Sequence, residues 1–258
     1  MSLDLTLTAA GTLDLSWQEL TELPDLRPHR HSLRELWLDG NHLTSLPAWF
    51  GELTALEVLH LEQNEMQSLP DSLGELTQLK TLRLYSNRLS ELPRSAARLT
   101  QLTDLSLGHN RFTKVPPAIW QFTQLKSLNL AENQLALIAE DLAALIELEM
   151  LDLGHNALVA LPRALGGLSK LRQALYVHNN RLLKLPTEVF DRLAGLRYFN
   201  ASNNQLTALP DTIGGLRALQ ELRLSGNQLA ALPDSIGALS NLRELHLTEN
   251  RWTQLPDT

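Results

Sequence analysis

Cysteine is absent from the 258 residues, so no disulfide can form, and disulfide-bonded end caps are excluded. A reducing cytoplasm is the compartment this fits best. Positive charge is in deficit: 22 Lys and Arg against 29 Asp and Glu give a net charge of −7, and the pI is about 5.6. That balance argues against a nucleic-acid binder, which needs a basic face. No apolar run reaches the length needed to cross a membrane. The opening Met1-Ser-Leu-Asp-Leu-Thr-Leu7 alternates apolar and polar residues and lacks both a basic start and an apolar block, so it does not read as a signal peptide. Catalytic spacings are missing too: G-x-x-x-x-G-K-[ST], H-E-x-x-H and G-x-S-x-G do not occur. The expectation is a chain that is no enzyme and carries no cofactor or metal.

What is present is a repeat. The stretch from Leu56 to Leu79 holds Leu56, Leu59, Leu61, Asn64, Met66, Leu69, Pro70, Leu73 and Leu76. The frame then returns as Leu79, Leu82, Leu84, Asn87, Leu89, Leu92 and Pro93. Asn recurs at 41, 64, 87, 110, 133, 156, 180, 204, 227 and 250, in steps of 23 except for 24 into Asn180 and Asn204. Gln18 stands one step before Asn41. Self-similarity at such a period marks a solenoid. Eleven units span residues 1–258 and are expected to form one domain.

Within a unit, L-x-x-L-x-L has strand periodicity, with both leucines of L-x-L on one face. Parallel strands need a crossover, and the segment after each proline supplies it. The expected fold is an α/β solenoid. A parallel sheet lines its concave face, short helical or 3-10 turns lie on its convex face, and leucines fill the space between. The Asn follows from the sharp turn after the strand, whose buried N–H and C=O groups need partners that an amide side chain offers.

Departures from the frame give further expectations. Leu3, Leu5 and Leu7, then Ala9-Ala10-Gly11, then Leu13 and Leu15 predict a β-hairpin over about 1–17 that caps the first sheet edge. The first return path, from Pro24 to Leu33, is irregular. Asp71, Asp211 and Asp234 follow a proline and are expected to cap the next helix. Small residues recur four places after the proline, as at Gly51, Gly74 and Gly214, where Gly permits close approach or an unusual φ. AEDLAALIEL from Ala139 predicts a longer helix than its neighbours. One extra residue before the strand at Leu171–Leu175 and one after Pro186 predict a local irregularity over 171–193.

These units resemble the leucine-rich repeat superfamily. LPDSLGELTQLKTLRLYSNRL resembles its 23-residue cytoplasmic class, which includes Ras-suppressor-like and plant intracellular Ras-group-related proteins and bacterial relatives. LPTEVFDRLAGLRYFNASNNQL looks instead like the 24-residue type of extracellular receptors. The resemblance implies protein recognition through the concave strands. It also implies that similar arrays serve as the sensor half of chains bearing a kinase, a Roco-type GTPase or a ubiquitin ligase. The same scaffold hosts many functions.

Positions between the strand leucines face the concave surface. Neighbours there lie about 5 Å apart. Two clusters of candidate partner-binding residues emerge. The first is Trp37, Asp39, His60, Glu62, Arg83 and Tyr85; the second is Tyr176, His178, Tyr198, Asn200 and Arg223. Exposed Trp, Tyr and Arg dominate binding interfaces, although aromatics also favour strands for their own sake. His29 and His31 are read as solvated loop histidines, and the sequon Asn200-Ala-Ser202 as coincidence on a strand. At the C-terminal end Leu242, Leu245, Leu247, Trp252 and Leu255 have no cap after them, so this end is expected to pack on further sequence or on a second copy. The functional expectation is a cytoplasmic interaction module with a protein partner. The alternatives are the recognition part of a larger signalling protein and a bacterial effector acting in a host cell.

Overall fold

The computed structural model describes residues 4–253. Each unit contributes one three-residue strand: β1 (Thr12–Asp14), β2 (Glu35–Trp37), β3 (Val58–His60), β4 (Thr81–Arg83), β5 (Asp104–Ser106), β6 (Ser127–Asn129), β7 (Met150–Asp152), β8 (Ala174–Tyr176), β9 (Tyr198–Asn200), β10 (Glu221–Arg223) and β11 (Glu244–His246). Compactness groups the chain into two units. Unit 1 runs through Phe112 and adds Pro116–Leu125; unit 2 comprises Thr113–Val115 and the described residues from Lys126 onward.

In unit 1 the strands β1 to β5 are parallel and aligned one repeat apart: Leu13 opposes Leu36, then Leu59, Leu82 and Leu105 follow in turn. All five are at most 3% exposed. In unit 2 the same row reads Leu128, Leu151, Leu175, Phe199, Leu222 and Leu245. The pairs Leu151–Leu175 and Leu175–Phe199 are 24 residues apart. The insertions are thus absorbed outside the ladder, and every inward side chain stays inward. A slip of one residue would have turned the whole row outward.

Return paths stack behind each sheet as five-residue 3-10 helices. Unit 1 has Ala48–Glu52, Asp71–Glu75, Arg94–Arg98 and Pro117–Gln121, and unit 2 has Glu140–Ala144, Arg163–Gly167, Asp211–Gly215 and Asp234–Ala238. The helix at Glu140–Ala144 is no longer than its neighbours, contrary to its helix-forming sequence. Strands about 4.8 Å apart leave little room for successive α-helices about 10 Å wide, so tertiary spacing overrides local propensity. Between β8 and β9 residues 187–192 form turns without a 3-10 helix, in the interval where irregularity was expected.

The proposed Asp caps are corrected. Pro70, Pro210 and Pro233 occupy the cap positions with extended ψ near 150°, and no side-chain cap bond forms at these helices. Asp71, Asp211 and Asp234 sit one place inside, in the first helical turn. The recurrent glycines serve close approach. A Cβ on Gly51, Gly74 or Gly214 would lie 2.4 Å from the carbonyl oxygen of Ser72, Ser95 or Ser235 on the next return path.

The Asn side chains stitch each turn to the one before it. Asn64 Nδ2 donates to Leu61 O and Glu62 O in its own turn and to Leu38 O in the preceding unit, while its Oδ1 accepts the Leu43 N–H. Asn204 repeats this with Ala201, Ser202, Val177 and Leu182. The residue before the Asn is left-handed in unit after unit, from Trp17 (φ 60°) and Gln63 (φ 54°) to Asn203 (φ 53°) and Glu249 (φ 55°), with Gly at positions 40 and 226. Each such non-glycine residue costs about 1–2 kcal/mol, offset by the hydrogen bonds that close the turn. Gln18 fits the same logic. Asn41 binds Gln18 N–H, Leu20 N–H and Leu15 O, while Gln18 Nε2 donates to Ser16 O within its own turn.

Of the expected N-terminal hairpin only the turn forms within the described residues. Gly11 N–H bonds to Thr8 O and Thr8 N–H to Thr12 O, but Asp4–Thr8 is not a strand. Met1–Leu3 lie outside the described residues. At the other end Leu245 is 39% exposed, and Trp252 Nε1 donates to Leu247 O at 2.7 Å. Leu255 lies outside the described residues.

Candidate protein-binding face

Because Leu36, Leu59 and Leu82 point inward, their strand neighbours point outward, and parallel register lines those neighbours up. In unit 1, Asp14, Trp37, His60, Arg83 and Ser106 form one row. Trp37 stacks on His60 with ring centroids 5.1 Å apart and planes 10° from parallel. Trp37 is 37% exposed, as an outward position requires. His60 Nδ1 lies 3.4 Å from Asp39 Oδ2, and the other Asp39 oxygen accepts the Glu62 backbone N–H at 2.6 Å. Burial, then the neighbouring Asp39 charge, push the Glu62 carboxyl up, with Arg83 and His60 pulling the other way. Tyr85 meets His109 edge-on at 5.7 Å. All six candidates of the first cluster therefore lie together.

The sequence reading missed the partner of Arg83. Its Nη2 reaches Asp104 Oδ2 at 3.4 Å, from the first position of the next strand. That first position is a third outward row, carrying Thr12, Glu35, Val58, Thr81 and Asp104. Its signal was the same periodicity, read one residue pair earlier. Trp17, 68% exposed, was missed as well; it packs its ring over Gly40, where a Cβ would come within 2.3 Å of the indole.

In unit 2, Tyr176 and Tyr198 lie 4.9 Å apart on neighbouring strands, and Tyr176 meets His178 edge-on at 6.1 Å. The Arg223 guanidinium sits 5.8 Å over the Tyr198 ring while its Nε bonds to Glu221. Burial raises both tyrosine pKa values. Burial, then repulsion from His155 and Arg223, lower that of His178. Asn200 is 8% exposed, and its Oδ1 is committed to the Ser202 N–H. Its side chain thus braces the backbone beside the tyrosines. An open hollow of about 310 Å3 adjoins these groups, lined by Asn200, Arg223, His178 and His246 among others. His155, Glu221 and His246 belong to this cluster and were not singled out from sequence.

His29 and His31 join no group of ligand side chains. Among the described residues the one cluster with metal-ligand spacing is Glu221, Glu244 and His246, where Glu221 already holds Arg223. Unit 2 also exposes Leu137, Val159 and Leu183, each more than half accessible.

Parallel strands one per repeat, an inward leucine row, 3-10 return paths and an Asn ladder define a repeat solenoid. The chain belongs to the leucine-rich repeat family. A leucine-rich repeat region matches residues 13–115, leucine-rich repeats match 123–174 and 173–229, and a two-copy repeat matches 217–257. No curated protein matches the chain. Among solved structures it is similar to a leucine-rich repeat protein of Leptospira interrogans, at 29% identity and a TM-score of 0.71, covering 96% of this chain and 80% of that one. A TDR receptor is 31% identical with a TM-score of 0.82, over 93% of this chain and 43% of the receptor chain. The ectodomain of the Arabidopsis thaliana receptor kinase GASSHO1/SCHENGEN3, in complex with Casparian strip integrity factor 2, is 27% identical with a TM-score of 0.68, over 92% and 32%. No described helix is long and apolar enough to cross a membrane.

Proposed function

We propose that this chain is a non-enzymatic, cytoplasmic interaction module that binds a protein partner on the outward rows of its strands. The observation that carries this reading is the sorting of side chains along each strand. Leucines fill the interior, and the alternate positions set exposed Trp37 and half-buried Tyr85, Tyr176, Tyr198 and Arg223 among smaller residues such as Ser106, Gly108 and Ala131. The binding of Casparian strip integrity factor 2 by GASSHO1/SCHENGEN3 supports partner recognition by such an array. The absence of cysteine supports the compartment. A second reading, the recognition part of a longer signalling protein, draws on the TDR receptor and GASSHO1/SCHENGEN3 chains, of which this chain spans 43% and 32%.

Affinity capture from cells of the native organism tests the proposal. Trp37→Ala with Tyr85→Ala should abolish recovery of the partner and leave the melting transition near that of the parent. The return-path pair Asp71→Asn with Asp211→Asn should keep recovery intact. Equal recovery with both pairs would overturn the concave reading.

A further inference from the structure

Charge on the outward rows of unit 1 is strongly one-sided. The rows beginning at Thr12, Asp14 and Ser16 carry five carboxylates, Asp14, Glu35, Asp39, Glu62 and Asp104, against one guanidinium, Arg83. That is four of the chain's seven net negative charges on one face of five short strands. The guanidinium bonds to Asp104 and acts on Glu62 only through space, so one cation stands against five carboxylates. Asp39 and Glu62 come from adjacent units, where Asp39 Oδ1 accepts the Glu62 backbone N–H at 2.6 Å and Asp39 Oδ2 faces His60 Nδ1, and the Asp39 charge still pushes the Glu62 carboxyl up. Repulsion of this kind is retained only at a cost in stability, and a cation from outside would relieve it.

Aromatic surface stands in the same place. One face of Trp37 is covered by His60, and on its other side the row continues to Asp14, in register with it on β1. Trp17 lies over Gly40 with most of its ring accessible, and its backbone N–H bonds to Asp39 O. An indole face flanked by carboxylates is the setting in which a guanidinium or ammonium binds best, because the ring quadrupole and the full charges attract it together. Lining by one sign of charge also raises the encounter rate with an oppositely charged segment.

We propose that the outward face of β1 to β3 binds an extended protein segment through its arginine or lysine side chains, seated between Trp17, Trp37 and the carboxylates of Asp14, Asp39 and Glu62. This rests on the concave-face reading above and gives the partner its chemistry: a basic segment. It also sets the two units apart, because the Tyr176–Tyr198 pair of unit 2 already has its own cation in Arg223.

Tryptophan emission provides the readout. The full chain is titrated with an oligoarginine peptide, and separately with an oligoglutamate peptide of equal length, at low and at high salt. Saturable change with oligoarginine, none with oligoglutamate, and weakening at high salt are expected. Asp39→Asn with Glu62→Gln should weaken oligoarginine about tenfold or more, while both replacements keep the side-chain oxygens that the local hydrogen bond uses. Asp71→Asn with Asp211→Asn removes the same charge from the return paths and should change affinity less than about twofold. No saturable oligoarginine binding, equal binding of oligoglutamate, or equal weakening by the two charge pairs would each overturn the basic-segment proposal. If oligoarginine fails while Trp37→Ala with Tyr85→Ala still abolishes partner capture, the concave reading stands and only the chemistry assigned here falls.

Discussion

Unit 1 sets five carboxylates and a stacked Trp37–His60 pair along its outward rows. Unit 2 sets a Tyr176–Tyr198 pair, His155, His178 and His246, and a guanidinium already held by Glu221. Behind both faces the inward row is almost wholly leucine, and the Asn amides bond to equivalent backbone positions, as at 2.9 Å from Asn64 to Leu38 O and 3.0 Å from Asn204 to Val177 O. The difference teaches that the interior which holds the fold and the chemistry of the outward rows are carried by alternate residues of the same strand. An outward residue can change its chemistry without touching the inward neighbour that holds the fold, so the two units need not bind the same kind of surface.

That separation is tested most severely in the core. Leu82→Ala in unit 1 and Leu151→Ala in unit 2 should each cost about 2–5 kcal/mol, since both side chains are at most 1% exposed. Denaturant unfolding that shows a large loss in one unit alone would break the claim of a common interior. Next come the amides. Asn87→Ala leaves the Met66 N–H and the Leu61 and Leu84 carbonyls without their side-chain partner, and Asn204→Ala does the same to Leu182, Val177 and Ala201. Each should cost about 1–3 kcal/mol or more, read from the same melts.

Smaller effects are expected on the return paths. Gly74→Ala places a methyl 2.4 Å from a backbone oxygen and should cost about 1–3 kcal/mol. Gly167→Ala in unit 2 meets nothing within 4 Å and should be neutral or stabilise by about 0.4–1 kcal/mol.

The smallest effects sharpen the contrast in charge. Burial and Asp39 raise the Glu62 carboxyl above its ordinary 4.5, so just above that pH the unfolded chain ionises while the folded chain still holds the proton. Glu62 therefore subtracts stability as pH rises through the folded value. Burial lowers His178 below 6.5, so the unfolded chain takes up the proton first and His178 subtracts stability as pH falls below 6.5. Stability curves of the parent minus Glu62→Gln, and of the parent minus His178→Gln, should slope in opposite directions with pH. Parallel slopes would show that the two faces are electrostatically alike.

Much of this was legible in the sequence because the repeat multiplies each weak signal. Leu59, Leu82 and Leu105 recur at one spacing, and so do Asn64, Asn87 and Asn110, which places strands, turns and the outward rows together. What escaped was whatever depends on how units stack. The 3-10 helix at Glu140–Ala144 is set by the pitch of the sheet rather than by its alanines and leucines. Asp71 lost its capping role because Pro70 already held the extended cap position. The left-handed residue before each Asn had a compositional mark only at Gly40, Gly226, Asn179 and Asn203; elsewhere Gln, Ser, His and Glu occupy it. Arg83 found Asp104, and Arg223 found Glu221, through a strand position that alternation placed outward but that was not read as a row.

The backward reach of the Asn side chains gives the array a direction. Each amide closes the turn of the unit that precedes it, so a turn is finished only when the amide some 23 residues later has been made. A ribosome delivers the chain in that same order. Each newly emerged unit therefore supplies the amide that the turn before it needs.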